Sequence, residues 1–168
     1  MRLRALLLLS LFAAACSQKQ PSTPWTNAHW GMMPSEVMSA VPHVSPVNGS
    51  HLASGATAQF RIDEAEVAGT TLPAEFFFLD RRLVQISFGD SQYRDNAANL
   101  KTIERLAAGL RKQYGQETLG QSKLDPSLGL SREMTWVSGD TEVALVAIPV
   151  TGTTSMVNVI YRRAASAG

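Results

Sequence analysis

The chain has 168 residues, 45% apolar and 17% charged, with 15 Lys and Arg against 14 Asp and Glu and a single cysteine, Cys16. A net charge of +1 gives no basic field able to hold nucleic acid or coat an anionic membrane. One cysteine excludes an internal disulfide, so stability has to come from a hydrophobic core, for which about 140 residues suffice.

The first segment is the most specific. Arg2 and Arg4 give a basic start, Ala5 to Phe12 is apolar apart from Ser10, and Ala13-Ala14-Ala15 leads into Cys16. A charged start, a short apolar core and small residues before a cut site define a secretory signal. The run is too short to span a bilayer, which needs about 20 residues. Residues 1–15 are therefore expected to be a signal peptide. Cleavage has two readings. The stretch resembles the lipobox of bacterial lipoproteins, with Ala13 where leucine is usual, which implies a diacylated, palmitate-bearing Cys16. Alternatively, Ala13-x-Ala15 is an ordinary signal-peptidase site and Cys16 is a free N-terminal residue. A lone cysteine in an exported chain favours the first, and two or more acyl chains anchor stably. By resemblance to sorting rules in enteric-type bacteria, Ser17 in place of Asp favours the outer membrane, facing the periplasm. Loss of Arg2 and Arg4 turns the net charge from +1 to −1. Residues 16–24 form the lipidated cysteine and a polar, proline-bearing tether. Residues 25–168 are expected to form a single domain.

In that domain, Pro34 suits the first position of a short helix, Glu36 its third, and Pro42 stops it. Val37, Met38 and Val41 share its apolar face, and Met32 packs back onto Val37. Residues 43–57 carry turn signals: Pro46, Asn48-Gly49 and Gly55. Three strands follow: Gln59 to Val67, Leu72 to Leu79 with Phe76, Phe77 and Phe78 in a row, and Leu83 to Phe88. In the last, Val84, Ile86 and Phe88 point inward and Gln85 and Ser87 outward. Asp80-Arg81-Arg82 makes the tight connection. Asn96 to Tyr114 is a helix with a stripe of Leu100, Ile103, Leu106, Ala107 and Leu110, capped by Asp95 and ended by Gly115. Residues 116–130 are expected to be loop. Glu133 to Val137, Thr141 to Ile148 (apolar on both faces) and Ser155 to Arg163 complete the strands, with Val157, Val159 and Tyr161 on one side.

The expected class is α+β. Two tandem units of one helix followed by three antiparallel strands (α-β-β-β) span about residues 28–90 and 95–163, with the helices packed on one face of the sheet. Short turns between consecutive strands favour antiparallel pairing over a Rossmann-type fold.

Several patterns also resemble a family. Trp30 to Val37 fits W-G-M-x-x-x-E-V. Phe76 to Phe88 contains an aromatic strand, a tight turn and R-L-V-x-x-x-F. Leu106 to Gly115 is a helix ending in Y-G. Trp136 to Leu145 fits W-x-x-x-x-T-x-V-x-L, and Val157 to Arg162 fits V-x-V-x-Y-R. Together they resemble small bacterial envelope lipoproteins related in architecture to the BamE/OmlA outer-membrane assembly lipoproteins and the β-lactamase-inhibitor-protein-like folds. Met33 stands where a Ser or Thr cap is common, and Arg81 where Gly is common. The resemblance implies a non-enzymatic interaction role.

Catalytic patterns are thin. Gly89-Asp90-Ser91 follows a strand as the nucleophile block of GDS-type esterases does, but no histidine follows His51 to serve as base. His29, His43 and His51 with Met32, Met33 and Met38 are a conceivable soft Cu(I) set at no recognised spacing; the expectation is no metal, no cofactor and no enzyme. Phe76, Phe77, Phe78, Phe88 and Trp136 fit core better than a pocket. Trp30 is expected to pack on the sheet. Trp25, beside the tether, and Arg81 and Arg82, at a hairpin tip, are the candidate partner surface. The functional expectation is a membrane-anchored, periplasm-facing adaptor for another envelope protein. The alternatives are a carrier or sensor of a small apolar ligand through the aromatic face, or an inhibitor of an envelope enzyme.

Overall fold

Pro34 opens the first helix, α1 (Pro34–Ala40), where its missing N–H breaks no bond. This is seen in a computed structural model that describes residues 27–89, 92–125 and 129–164, with side chains outside 119–131. Met33 has no capping side chain, yet its N–H donates to the Glu36 carboxylate at 2.6 Å and its carbonyl accepts from Glu36 and Val37. The backbone and the third residue thus do the work a Ser or Thr would share. Val37 and Val41 are buried. Met38, expected in the core, is 51% exposed. It lies about 100° around the helix from Val37, outside the Val37–Val41 stripe.

A two-residue strand, β1 (Ser45–Pro46), lies in the segment expected to be loop and pairs with β2 (Thr57–Val67). Next come β3 (Thr70–Leu79) and β4 (Arg82–Gly89). Each of these two hairpins turns on two residues of positive φ: Ala68 and Gly69 (51° and 75°), then Asp80 and Arg81 (49° and 62°). Two consecutive left-handed residues match the right-handed twist of the flanking strands. Arg81 therefore holds a conformation that glycine adopts without penalty. Arg81→Gly is expected to raise unfolding free energy by about 1 kcal/mol. Urea denaturation would measure it, and a fall in stability would mean that the Arg81 side chain itself supports the turn.

After β5 (Arg94–Asp95) runs α2 (Asn96–Tyr114), with the limits its stripe predicts. The Asp95 carboxylate accepts from the N–H groups of Ala97 (2.8 Å) and Ala98 (3.4 Å), and Gly115 follows with φ 83°. The chain ends with β6 (Leu119–Asp125), β7 (Gly129–Ser138), β8 (Thr141–Pro149) and β9 (Thr154–Arg163). The loop expected over 116–130 is wrong in part. β6 pairs with β7 without interruption from Leu119↔Thr135 to Asp125↔Gly129. Gln121, Ser122 and Lys123 show no apolar alternation; the backbone ladder, not a hydrophobic pattern, defines this strand.

The strands form one antiparallel sheet in the order β1-β2-β3-β4-β9-β8-β7-β6, with β5 paired to β9. The class is α+β and mostly sheet. Both helices contribute to one core with the sheet: Val37 from α1 and Ile103, Leu106, Ala107 and Leu110 from α2 meet Phe60, Phe76, Phe88, Trp136 and Tyr161. Edge-to-face pairs Phe60–Phe78 (5.7 Å) and Phe88–Tyr161 (5.5 Å) lie within it.

Two irregularities decide which side chains enter that core. Asp63 and Glu64 of β2 stand opposite the single residue Pro73, between the pairs Ile62↔Ala74 and Ala65↔Leu72. Proline has no N–H for the ladder, and a bulge absorbs the mismatch. In β4 the register skips between Phe78↔Leu83 and Phe77↔Gln85. This corrects the expected alternation: Leu83, Ile86 and Phe88 face the helices, whereas Val84 packs with Ala56, Ala58 and Phe77 in a small separate cluster.

Candidate functional site

The sheet has two unlike faces. Beneath α2, Ile103, Leu106 and Leu110 are fully buried against Val143, Leu145, Val159 and Tyr161. Trp136 of β7 is 1% exposed, and its indole N–H donates to the Gly115 carbonyl just past the helix at 2.9 Å. At the other end, buried Asn99 donates to the Ser155 carbonyl (2.8 Å) and hydroxyl (2.9 Å). Asn99 occupies the stripe position four residues before Ile103, a place the sequence reading gave to no residue. Tyr161 pairs with the Tyr114 hydroxyl, and burial raises its phenol far above the ordinary range. The aromatic residues proposed as core or pocket, Phe76, Phe77, Phe78, Phe88 and Trp136, are at most 3% exposed. A cavity edged by Leu72, Asn99, Thr102 and Val157, next to α2, holds about 30 Å³, room for one water.

The other face carries what the helices do not cover. In β8 and β9, Val143, Leu145 and Ala147 alternate with Ala144, Val146 and Ile148, and Val157 and Val159 with Met156, Asn158 and Ile160. The second set pairs across the strands as Ala144↔Ile160, Val146↔Asn158 and Ile148↔Met156. Ile148 is 40% exposed, and Val146, Met156 and Ile160 are half-buried. The signal was in the sequence: Thr141 to Ile148 is apolar on both faces, a pattern normally reserved for strands covered on both sides.

Charges border this strip. Glu133 of β7 stands beside Val146 and is exposed. Glu142 of β8 pairs with Arg162 of β9. Further along, Arg61 is bonded to Asp63 (2.8 Å) and Glu75 (3.3 Å), and Asp63 above all holds its guanidinium above the ordinary value. A wide depression of about 610 Å³ at the β2 edge is lined by Pro42, His43, Ile62, Ala65 and the carboxylates Asp63, Glu64 and Glu66.

The sequence-predicted positions scatter. Cys16 and Trp25 lie outside the described residues, as do Asp90 and Ser91 of the esterase-like block. Arg81 is exposed at the β3–β4 turn. Arg82, also exposed, donates to the Gly31 carbonyl at 3.0 Å, tying the entry segment to the sheet. Trp30 packs on the core and its indole donates to the Thr141 hydroxyl at 2.9 Å. His51 bonds to the Thr57 hydroxyl at 3.1 Å, and His43 sits at φ 60° where the chain enters β1. Among the described residues no three His, Cys, Asp or Glu side chains are placed to hold a metal ion.

One ion pair gives the fold an acid sensitivity. Arg111 near the end of α2 makes two bonds to Glu117 (2.8 and 2.5 Å) and holds its carboxyl down at about 2. Because the folded value lies below the unfolded one, this contribution is complete above about pH 4.5 and is lost as pH falls toward 2. Wild type is expected to lose more stability than Glu117→Gln between those limits. Parallel curves in acid denaturation would rule the contribution out.

Fold and site together define an antiparallel α+β protein with one face packed against its helices and one aliphatic face that neither α1 nor α2 covers. No protein-family model, curated protein or solved structure matches the chain.

Proposed function

We propose that this is a lipid-anchored protein of the bacterial envelope, tethered through Cys16 and facing the periplasm from the outer membrane, whose domain is a non-enzymatic binding module for another envelope protein. The Met1 to Cys16 pattern supports the anchor. The observation that carries the binding role is the pairing of a filled core with an uncovered aliphatic strip at Val146, Ile148, Met156 and Ile160. Monomeric soluble proteins rarely leave contiguous apolar surface without use. A carrier through the aromatic face needs those rings to line a cavity of some hundreds of Å³, whereas Phe76, Phe77, Phe78, Phe88 and Trp136 are at most 3% exposed and the wide depression of about 610 Å³ is lined by carboxylates at the β2 edge. An inhibitor of an envelope enzyme is a special case of the same binding role. The element order, helix then strands and again helix then strands, supports two tandem units spanning about residues 28–90 and 95–163, joined by β4 and β9.

The anchor is tested by expressing the full chain with labelled fatty acid. Wild type is expected to take up label and to sediment with outer membranes, while Cys16→Ala does neither and is recovered in the soluble fraction. Sedimentation of an unlabelled Cys16→Ala variant would refute anchoring through this residue.

A further inference from the structure

We propose that the partner sits on the uncovered face of β8 and β9, and that it presents an aliphatic segment flanked by lysine or arginine. The inference rests on the binding-module reading and gives that module a place and a ligand chemistry. Val146, Ile148, Met156 and Ile160 form the centre, beside buried Ala144 and interrupted only by the uncharged Asn158. Depletion of charge at the centre of a patch is the compositional mark of an interface core. The rim is not neutral. Among the described side chains, carboxylates outnumber guanidiniums on this face: Asp63, Glu75, Glu133 and Glu142 against Arg61 and Arg162. Arg61 is shared between two carboxylates and Arg162 is held by Glu142, so the surplus negative charge falls on both sides of the aliphatic strip.

That surplus selects the occupant. A second copy docking face to face would bring the same carboxylate excess against itself, and an anionic lipid surface would be repelled. A basic-flanked aliphatic segment of another protein satisfies both parts. Its apolar side chains cover the strip, and its cations oppose Glu133 on one side and the Asp63–Glu75 pair on the other. Rim charges of this kind set association rate and partner choice more than affinity.

The test uses the full chain in cells, with a photoreactive amino acid at Ile148 in one strain and at Tyr93 in another. Tyr93, 63% exposed, lies off the strip just before β5. Both variants are first checked for wild-type circular dichroism. Irradiation at Ile148 is expected to give an adduct to another protein whose linked peptide, sequenced by mass spectrometry, holds aliphatic residues with Lys or Arg within a few positions. Glu133→Lys is expected to lower its yield several-fold. An Ile148 adduct to a second copy of this chain, to lipid or to an acidic peptide overturns the proposal. Adducts from Tyr93 alone also overturn it while leaving the binding-module reading in place. No adduct from either position removes both. An unchanged yield in Glu133→Lys removes the basic-flank requirement and with it the proposed partner chemistry.

Discussion

Trp136→Ala is expected to lower unfolding free energy by about 3–5 kcal/mol, the largest loss from any single truncation in this chain. The indole is 1% exposed in the core shared by α2 and the sheet, so its removal leaves a cavity that neighbouring side chains fill only in part. It also deletes the bond from the indole N–H to the Gly115 carbonyl, where the helix has already ended and a carbonyl needs a donor. Against a total of about 5–15 kcal/mol for an ordinary domain, that loss would leave a measurable unfolded fraction near 37 °C. Trp136→Phe keeps most of the volume and loses the bond, for an expected cost of about 1–2 kcal/mol. Urea titrations of the two variants beside wild type separate the volume and bond contributions. A loss below about 1 kcal/mol for Trp136→Ala would mean that this residue does not join helix to sheet.

Gly109→Ala is the second large effect, and its sign runs against helix propensity. In an exposed helix interior the substitution gains about 1 kcal/mol. Here the new Cβ would lie 2.3 Å from the Ala68 carbonyl oxygen and 2.8 Å from the Ala68 Cβ. The obstacle is backbone at the β2–β3 turn, with Ala68 already at φ 51°, so no rotamer change relieves it. Either α2 or the hairpin must shift, and a net loss of about 1–3 kcal/mol is expected. Ala108→Gly at the adjacent exposed position serves as reference, losing about 1 kcal/mol by propensity alone. A stabilised Gly109→Ala protein would show that helix and turn are not in contact.

The elements legible in the sequence are those whose burial follows a simple period. Helix α2 was placed to the residue because Ile103, Leu106 and Leu110 repeat at helical spacing between a carboxylate cap and a glycine stop. Strand β9 was legible from Val157, Val159 and Tyr161. Where a bulge intervenes, period fails. Val84 was assigned inward because strict alternation with Ile86 and Phe88 was assumed, and a one-residue register skip put Leu83 there instead. β6 was missed because an edge strand is specified by the backbone of its neighbour, and Gln121-Ser122-Lys123 has no pattern of its own. Met38 was grouped with Val37 and Val41 on one apolar face, on a helix too short to bury more than one narrow stripe. Asn99 was passed over because polarity argues against a core position until Ser155, 56 residues away, supplies the acceptors. The candidate face was half legible: the double-sided apolar character of Thr141 to Ile148 was evident, but not that helices cover only one of its sides.

The pairing of β4 with β9 governs the order in which the molecule assembles. β9 closes the described chain, yet it lies near the middle of the sheet, between β4 and β8. Ser87 and Ile160 are partners although 73 positions apart in the sequence. Before Arg163 has been delivered, β4 and β8 each lack a neighbour, and the strip of Val146 and Ile148 has no Met156 or Ile160 beside it. A chain arriving from its N-terminus thus holds two unfinished half-sheets until its last strand arrives, and slow, late closure is the cost of such distant pairing.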